Sequence, residues 1–228
     1  MVYLLLTLIL MALIYSPQWW VRHVMKKYSS DRADLPGTGA ELAQHLIQRF
    51  QLEGVAVEET REGGDHFDPK VPAVRLSPSV HQGRSLKAVA IATHEVGHAL
   101  QFHRQERIFQ LRQRYVPLAM AMRKAGELLL LASPVIGWIG KAPALLLMVA
   151  AVALLLQLLG ALVYLIILPE EWDASFNKAL PILTEGEYVA REDLPAIHTL
   201  LKAAALTYLA AALASVVHLG RWAWLLRR

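Results

Sequence analysis

The longest uncharged stretch of the chain runs from Ala142 to Pro169 and consists almost entirely of aliphatic residues. A helix needs about 20 apolar residues to cross the hydrocarbon core of a bilayer. Because no water there can satisfy an exposed backbone, an apolar run of this length must form a helix. The chain as a whole is 55% hydrophobic, whereas soluble domains have about 45–50%. The run therefore predicts an integral membrane protein.

Three further segments are predicted to contact the membrane. Residues 1–21 lack the basic start and the small-residue cleavage site of a signal peptide, which favours an uncleaved transmembrane anchor. Leu128–Gly140 is too short to span by itself, so we expect its helix to extend back toward Val116 and to form a transmembrane hairpin over 116–168. Residues 201–228 predict a C-terminal transmembrane or interfacial helix, which makes about four membrane helices.

The segment 22–115 has the composition and periodicity of a small α+β domain. Apolar positions recur at helical spacing over 38–53, and Val55–Val57 and Ala73–Ser77 have the character of short strands. Ser85 is a good N-cap for the helix that follows it. We therefore expect an α-rich α+β membrane protein that contains a small sheet and this helix.

That helix carries the sequence His94-Glu95-Val96-Gly97-His98. Residues four apart lie on one face of a helix, so His94 and His98 can present two imidazoles to a single Zn²⁺. Zinc lowers the pKa of a bound water to about 7, and Glu95 can then act as the general base. Two incidental histidines would leave Glu95 as an unpartnered charge in an apolar helix, which is costly. The pattern predicts one zinc ion per chain in a domain at 22–115.

A catalytic zinc usually takes three protein ligands, so a third must come from elsewhere. Glu171 is a candidate, because Pro169 can begin the helix of a helix and loop at 169–200 and so place Glu171 in the first helical turn. Acidic residues are also favoured in a first turn by the helix dipole, and spacing alone does not separate the two explanations. A shared metal requires that Glu171 lie on the same side of the membrane as His94 and His98. The chain must therefore cross the membrane an even number of times between His98 and Glu171, as the hairpin at 116–168 provides.

Five ordered segments resemble the YugP-like family of neutral zinc metallopeptidases, which are membrane-bound. They are GTGAELAQ at 37–44, DHFDP at 65–69, VRLS at 74–77, SLKAVAIATHEVGHALQ at 85–101 and LPEEWDAS at 168–175. The resemblance implies a gluzincin-like site with Glu171 as the third ligand. Where family members have an apolar residue before that ligand, this chain has Glu170, which is an alternative ligand. Where they have basic residues after the last segment, it has Phe176-Asn177-Lys178.

Three other residues are candidates for binding substrate or orienting a metal ligand: His66, Asp173 and Ser175. In metallopeptidases of this type an edge strand binds extended substrate, so His66 could donate to the oxyanion of the intermediate. The alternative for His66 is a turn, which its Asp and Pro neighbours favour. Asp173 and Ser175 could hydrogen-bond and orient a ligand imidazole, although Asp173 also fits a first-turn acid.

Charge and composition limit the partners and the location. The net charge of +4 is explained by basic residues that flank the predicted membrane helices, and no basic block with interleaved aromatics predicts nucleic-acid binding. With no cysteine, the metal ligands must be His, Asp or Glu. Basic residues follow the first span and precede the hairpin, whose tip has only Lys141. This bias predicts a multi-pass protein of the inner cell membrane with a cytoplasmic catalytic domain, although Arg221, Arg227 and Arg228 would disagree if the last helix spans.

Two functions remain from the sequence. The first is an endopeptidase that acts on membrane-associated or unfolded proteins. The second is a catalytically silent zinc-binding adaptor or scaffold, and the presence of Glu95 favours the enzyme because a structural site has no use for a base. The sequence leaves open whether protein regulators bind the chain and whether it forms a homo-oligomer.

Overall fold

A computed structural model describes residues 2–140 and 143–210, which are mostly helical with one small sheet. The helices are α1 (Val2–Lys27), α2 (Gly39–Arg49), α3 (Pro78–His81), α4 (Leu86–His103), α5 (Arg107–Gly140), α6 (Pro143–Trp172), α7 (Leu180–Glu185) and α8 (Leu194–Ala205), with a π-helix at Asp173–Ala179 and a 3₁₀ turn at Arg191–Asp193. The strands are β1 (Ala56–Glu59), β2 (His66–Asp68) and β3 (Ala73–Leu76). The chain divides into two compact units.

The first unit, here called the helical unit, contains α1 up to Gln18, Leu111–Leu168 and the residues from Tyr208. Helices α5 and α6 pack antiparallel within it, since Gly126 lies against Ala153 whereas Gly160 lies against Ala119. A Cβ on Gly126 would come within 2.9 Å of the Ala153 carbonyl oxygen, so these helices approach closely because the residue is glycine. As the sequence predicted, the helix of Leu128–Gly140 extends well before Val116.

Among the described residues one helical stretch, Ala144–Glu185, is long and apolar enough to cross a membrane. It contains the uncharged run with which the sequence analysis began, from Ala144 onward. The other predicted spans stay predictions. Most of the C-terminal helix predicted at 201–228 lies outside the described residues, as does the predicted hairpin tip at Lys141.

The second unit, here called the mixed unit, comprises Trp19–Gln110 and Pro169–Thr207. Its sheet has the order β1-β3-β2, with β1 parallel and β2 antiparallel to the central β3. Val74 and Leu76 of β3 point into the core, where they join Phe67 of β2 and residues of α2 and α4. The sheet and α2 therefore support one side of α4, which confirms the predicted α+β arrangement.

Helix α4 is buried along nearly its whole length, from Leu86 to Gln101 apart from the partly exposed Lys87. The Ser85 hydroxyl accepts a hydrogen bond from the Ala88 amide at 3.1 Å, which confirms the predicted N-cap. Besides the sheet and α2, helix α4 packs against α3, α8 and the π-helix. Polar groups in such a helix are costly unless they are paired, so the buried polar residues of α4 need local partners.

One local expectation is extended and one is wrong. The two strands named from the sequence are joined by a third at His66–Asp68, and the carboxylate of the preceding Asp65 accepts a hydrogen bond from the Ser77 amide at 2.7 Å. The helix predicted to begin at Pro169 does not begin there, since α6 continues through Pro169 to Trp172. A proline removes one backbone hydrogen bond from a helix. The helix nevertheless continues on both sides of Pro169, from Pro143 to Trp172.

Candidate metal centre

Helix α4 brings the two histidines of the HEVGH segment into contact, as their spacing predicted. The Nε2 atoms of His94 and His98 are 3.2 Å apart, and the two rings meet edge to face with centroids 4.7 Å apart. Both side chains are buried, with 4% and 3% of their surface exposed. The same nitrogen of each ring therefore faces one shared point.

Glu171, in the last turn of α6, completes the group. Its Oε2 lies 3.3 Å from Nε2 of His94 and 3.4 Å from Nε2 of His98. Among the described residues, His94, His98 and Glu171 are the group of three whose ligand atoms could hold a metal ion. The structure thus brings together residues that lie about seventy positions apart in the chain.

The three atoms are spaced as three ligand atoms of a tetrahedral zinc ion would be. Zinc binds imidazole nitrogen and carboxylate oxygen at about 2.0–2.1 Å, and tetrahedral geometry then places neighbouring ligand atoms about 3.3 Å apart. The three observed separations are 3.2, 3.3 and 3.4 Å. A triangle of this size leaves a fourth tetrahedral position free for water or substrate, as a catalytic zinc requires.

The electrostatics of this group also favour a cation. Burial lowers the pKa of His98, but the carboxylates of Glu171 and Glu170 outweigh burial and raise this pKa to about 10. The two buried carboxylates beside this ring therefore favour positive charge in the pocket. A divalent cation between the two histidines and Glu171 would likewise balance the negative charge of the buried carboxylates.

The π-helix that follows Glu171 reaches His94. Single π-turns are frequent at functional sites, and this one turns Ser175 so that its Oγ lies 3.0 Å from Nδ1 of His94. The π-helix can approach α4 because Gly97 has no side chain: a Cβ there would lie 2.8 Å from the carbonyl oxygen of Ala174. Gly97 therefore permits close packing with Ala174.

On the other ring, Nδ1 of His98 faces two acceptors. Oε1 of Gln101 lies at 2.9 Å and Oε1 of Glu170 at 3.2 Å. Glu170 therefore contacts the opposite side of the His98 ring from Glu171. It is completely buried and does not belong to the three-ligand group, so the geometry gives it the position of a partner of His98.

A chain of polar contacts continues from Gln101. Its Nε2 donates to Oδ2 of Asp173 at 2.8 Å and to the carbonyl oxygen of Glu170 at 3.0 Å. Asp173 also pairs with the buried ammonium of Lys178, which lies 2.9 Å from the carboxylate of Glu106. Asp173 thus contacts Gln101, which in turn contacts His98, whereas the sequence analysis considered direct contact of Asp173 with a ligand imidazole.

Glu95 and His66 stand apart from these contacts. Glu95 follows His94 in α4 and is 7% exposed. His66 is partly buried, and its Nδ1 lies 2.7 Å from the carbonyl oxygen of Gly64. Since side chains alternate along a strand, His66 lies on the sheet face opposite to Phe67, which packs against Phe102 and Phe109. The catalytic role predicted for His66 stays a prediction.

Known proteins are similar to this chain along nearly its whole length. The model of a family described as "Putative neutral zinc metallopeptidase" matches residues 3–227. The chain belongs to this family. It is also 34% identical over 225 residues, or 97% of this chain and 95% of the relative, to the "Putative membrane protease YugP" of Bacillus subtilis (strain 168). These findings confirm the resemblance seen in the sequence. No solved structure matches the chain.

The sequence analysis missed Gln101, Lys178 and Glu106. Gln101 lies three residues after His98, so helical spacing alone would have placed it beside that ring. Lys178 and Glu106 had no such signal, because their contact depends on how the π-helix packs against the end of α4.

Proposed function

We propose that this chain is a membrane-bound endopeptidase that holds one Zn²⁺ with His94, His98 and Glu171 and uses Glu95 as its general base. The observation that carries the proposal is the buried triangle of two nitrogens and one oxygen with sides of 3.2–3.4 Å. The family description names a zinc metallopeptidase, which agrees in reaction class and metal.

The chemistry divides between the metal and the chain. Zinc in this position would supply a Lewis acid that brings the pKa of a water to about 7. The carboxylate of Glu95 takes the proton from the attacking water and passes it to the leaving amine. His94 and His98 act as neutral ligands through Nε2, and Glu171 supplies the one negative charge of the ligand set.

For the substrate we propose an extended peptide that adds to the sheet. In the order β1-β3-β2, strand β2 is an edge, and it packs against α4. An extended chain can pair with the backbone of such an edge. His66 lies on β2, so a role as an oxyanion donor requires that the substrate pass over the sheet face on which its side chain lies.

The membrane location is supported by the surface of the helical unit. Large apolar side chains of α5 and α6 are exposed, including Leu131, Leu147 and Leu155 at 57%, 70% and 54%. Exposed apolar surface of this extent is typical of a lipid or protein contact, and the relative from Bacillus subtilis is named a membrane protease. We propose a multi-pass protein of the inner cell membrane with membrane-associated or unfolded proteins as substrates.

The first experiment measures zinc and peptide cleavage in the full-length protein purified in detergent. We expect about one zinc ion per chain and cleavage of an unbiased peptide library, with activity lost on chelation and restored by added Zn²⁺. His98→Ala should remove the zinc, whereas His103→Ala, at an exposed position of the same helix, should retain it. Zinc-free protein with full cleavage, or zinc that survives His98→Ala, would refute the proposal.

Orientation can be tested with single cysteines, because the chain has none of its own. Glu53→Cys lies at an exposed position of the mixed unit, and Lys141→Cys lies at the predicted hairpin tip. If the catalytic domain is cytoplasmic, a membrane-impermeant maleimide added to intact cells should label Lys141→Cys and should label Glu53→Cys only after permeabilisation. The reverse labelling pattern would place the catalytic domain outside.

A further inference from the structure

We propose that Gln101 is a positioning residue that fixes the ring of His98 with its Nε2 lone pair turned toward the metal. This inference rests on the proposed function, because it assigns a role within the same zinc site. It concerns a residue that touches no reacting atom and acts through His98. Three contacts of the Gln101 amide carry the argument, and all of its partners are buried or partly buried.

The amide of Gln101 has a single satisfactory orientation. Its nitrogen faces the carbonyl oxygen of Glu170 and the carboxylate of Asp173, both of which can only accept hydrogen bonds. Turning the amide over would place its oxygen against these two acceptors, which repel it, and would remove the hydrogen bond that Nε2 donates to each of them. Oε1 therefore has to face Nδ1 of His98, which lies 2.9 Å away.

An amide oxygen in that place determines the state of the imidazole. Because Oε1 of Gln101 accepts, Nδ1 of His98 must carry a proton. When the ring is neutral, Nε2 then has the free lone pair that a zinc ligand needs. Oε1 of Glu170, the second group at Nδ1, is also an acceptor and lies farther away at 3.2 Å, so it favours the same tautomer.

The other ligand histidine is arranged by the same logic. Oγ of Ser175 donates to the carbonyl oxygen of Leu201 at 3.0 Å, so the same oxygen is left to accept from Nδ1 of His94, also at 3.0 Å. Both rings thereby turn Nε2 to the shared point. Hydrogen bonds that fix the tautomer and the orientation of a ligand imidazole contribute to metal affinity.

The orientation of the Gln101 amide is stabilised by an ion pair on the side away from His98, between Asp173 and Lys178. The Asp173 carboxylate accepts from Gln101, from Asn177 at 2.8 Å and from the buried Lys178. Lys178 in turn contacts Glu106 at 2.9 Å. Because the ammonium keeps Asp173 in place as an acceptor, the amide nitrogen of Gln101 stays on that side and its oxygen stays on His98.

The decisive variant is Gln101→Met, which has a similar volume but neither the acceptor nor the donors. We expect the affinity for Zn²⁺, measured by competition with a chromophoric chelator, to fall by about 10-fold or more, within the range of about 10–100-fold typical of such partners. Gln48→Met, at an exposed position of α2, is the control and should leave the affinity unchanged. If the variant does not fold, Gln101→Asn, whose amide stops one methylene short of His98, replaces it with the same expected loss.

A spectroscopic measurement separates positioning from packing. In the cobalt(II)-loaded protein, the Nδ1 protons of His94 and His98 should give two exchangeable resonances shifted by the metal. Gln101→Met should shift or broaden the His98 signal and leave the His94 signal in place, whereas Ser175→Ala should affect the His94 signal. A wild-type zinc affinity with both signals unchanged in Gln101→Met would overturn this inference alone, since the proposed function is tested separately by the zinc content and peptide cleavage of the wild-type protein and of His98→Ala.

Discussion

Glu95→Gln is expected to lower kcat/KM for peptide cleavage by about 10²–10⁴-fold, which is the usual contribution of a general acid–base group. The amide has nearly the shape of the carboxylate but cannot take a proton from the attacking water. Because Glu95 does not belong to the three-ligand group, the zinc content should remain that of the wild type. The measurement is steady-state cleavage together with metal analysis of the same preparation.

Two controls make this prediction specific. Glu95→Ala should lose activity to the same extent with its zinc retained, and Glu53→Gln, at an exposed position away from α4, should leave kcat/KM unchanged. Activity that survives in either Glu95 variant would remove Glu95 from the mechanism. Loss of zinc together with activity would instead assign Glu95 to metal binding.

The second large effect is expected for Glu171→Gln, which should weaken zinc binding by more than about 100-fold. Loss of a residue that only hydrogen-bonds to a ligand weakens metal binding by up to about 100-fold, and loss of a ligand itself should exceed this. The carboxylate supplies the negative charge of the ligand set, and its Oε2 lies within 3.3–3.4 Å of both Nε2 atoms. A neutral amide oxygen is a weaker ligand and also leaves the Zn²⁺ charge less well balanced in a buried site.

Glu170→Gln provides a matched comparison, because the two glutamates are adjacent and both are almost completely buried. Glu170 faces Nδ1 of His98, so we expect its loss to weaken zinc binding by no more than about 100-fold, as for other partners of ligands. Zinc competition assays on the two variants measure the difference. A larger loss in Glu170→Gln than in Glu171→Gln would make Glu170 the third ligand, which is the alternative that the sequence raised.

Much of the local structure was predictable because its causes are local. Ser85 caps α4 and Ala73–Leu76 forms a strand, as expected. His94 and His98 converge because a helix brings positions four apart to one face. The third strand was missed because His66–Asp68 is short, and its pairing with Arg75–Ala73 of β3 is a contact between different parts of the chain.

By itself, the sequence determined the apolar run of 142–169 and the helix that carries HEVGH. These follow from composition and from helical periodicity, which depend on neighbours along the chain. Glu171 could not be separated from a first-turn acid by spacing, and a family resemblance was needed to choose it. The tertiary structure decided the distance from Glu171 to the histidines, the contrasting position of Glu170 and the contacts of Gln101. Each of these depends on where the end of α6 and the π-helix pack against α4, and packing between distant segments leaves no periodic trace in a sequence.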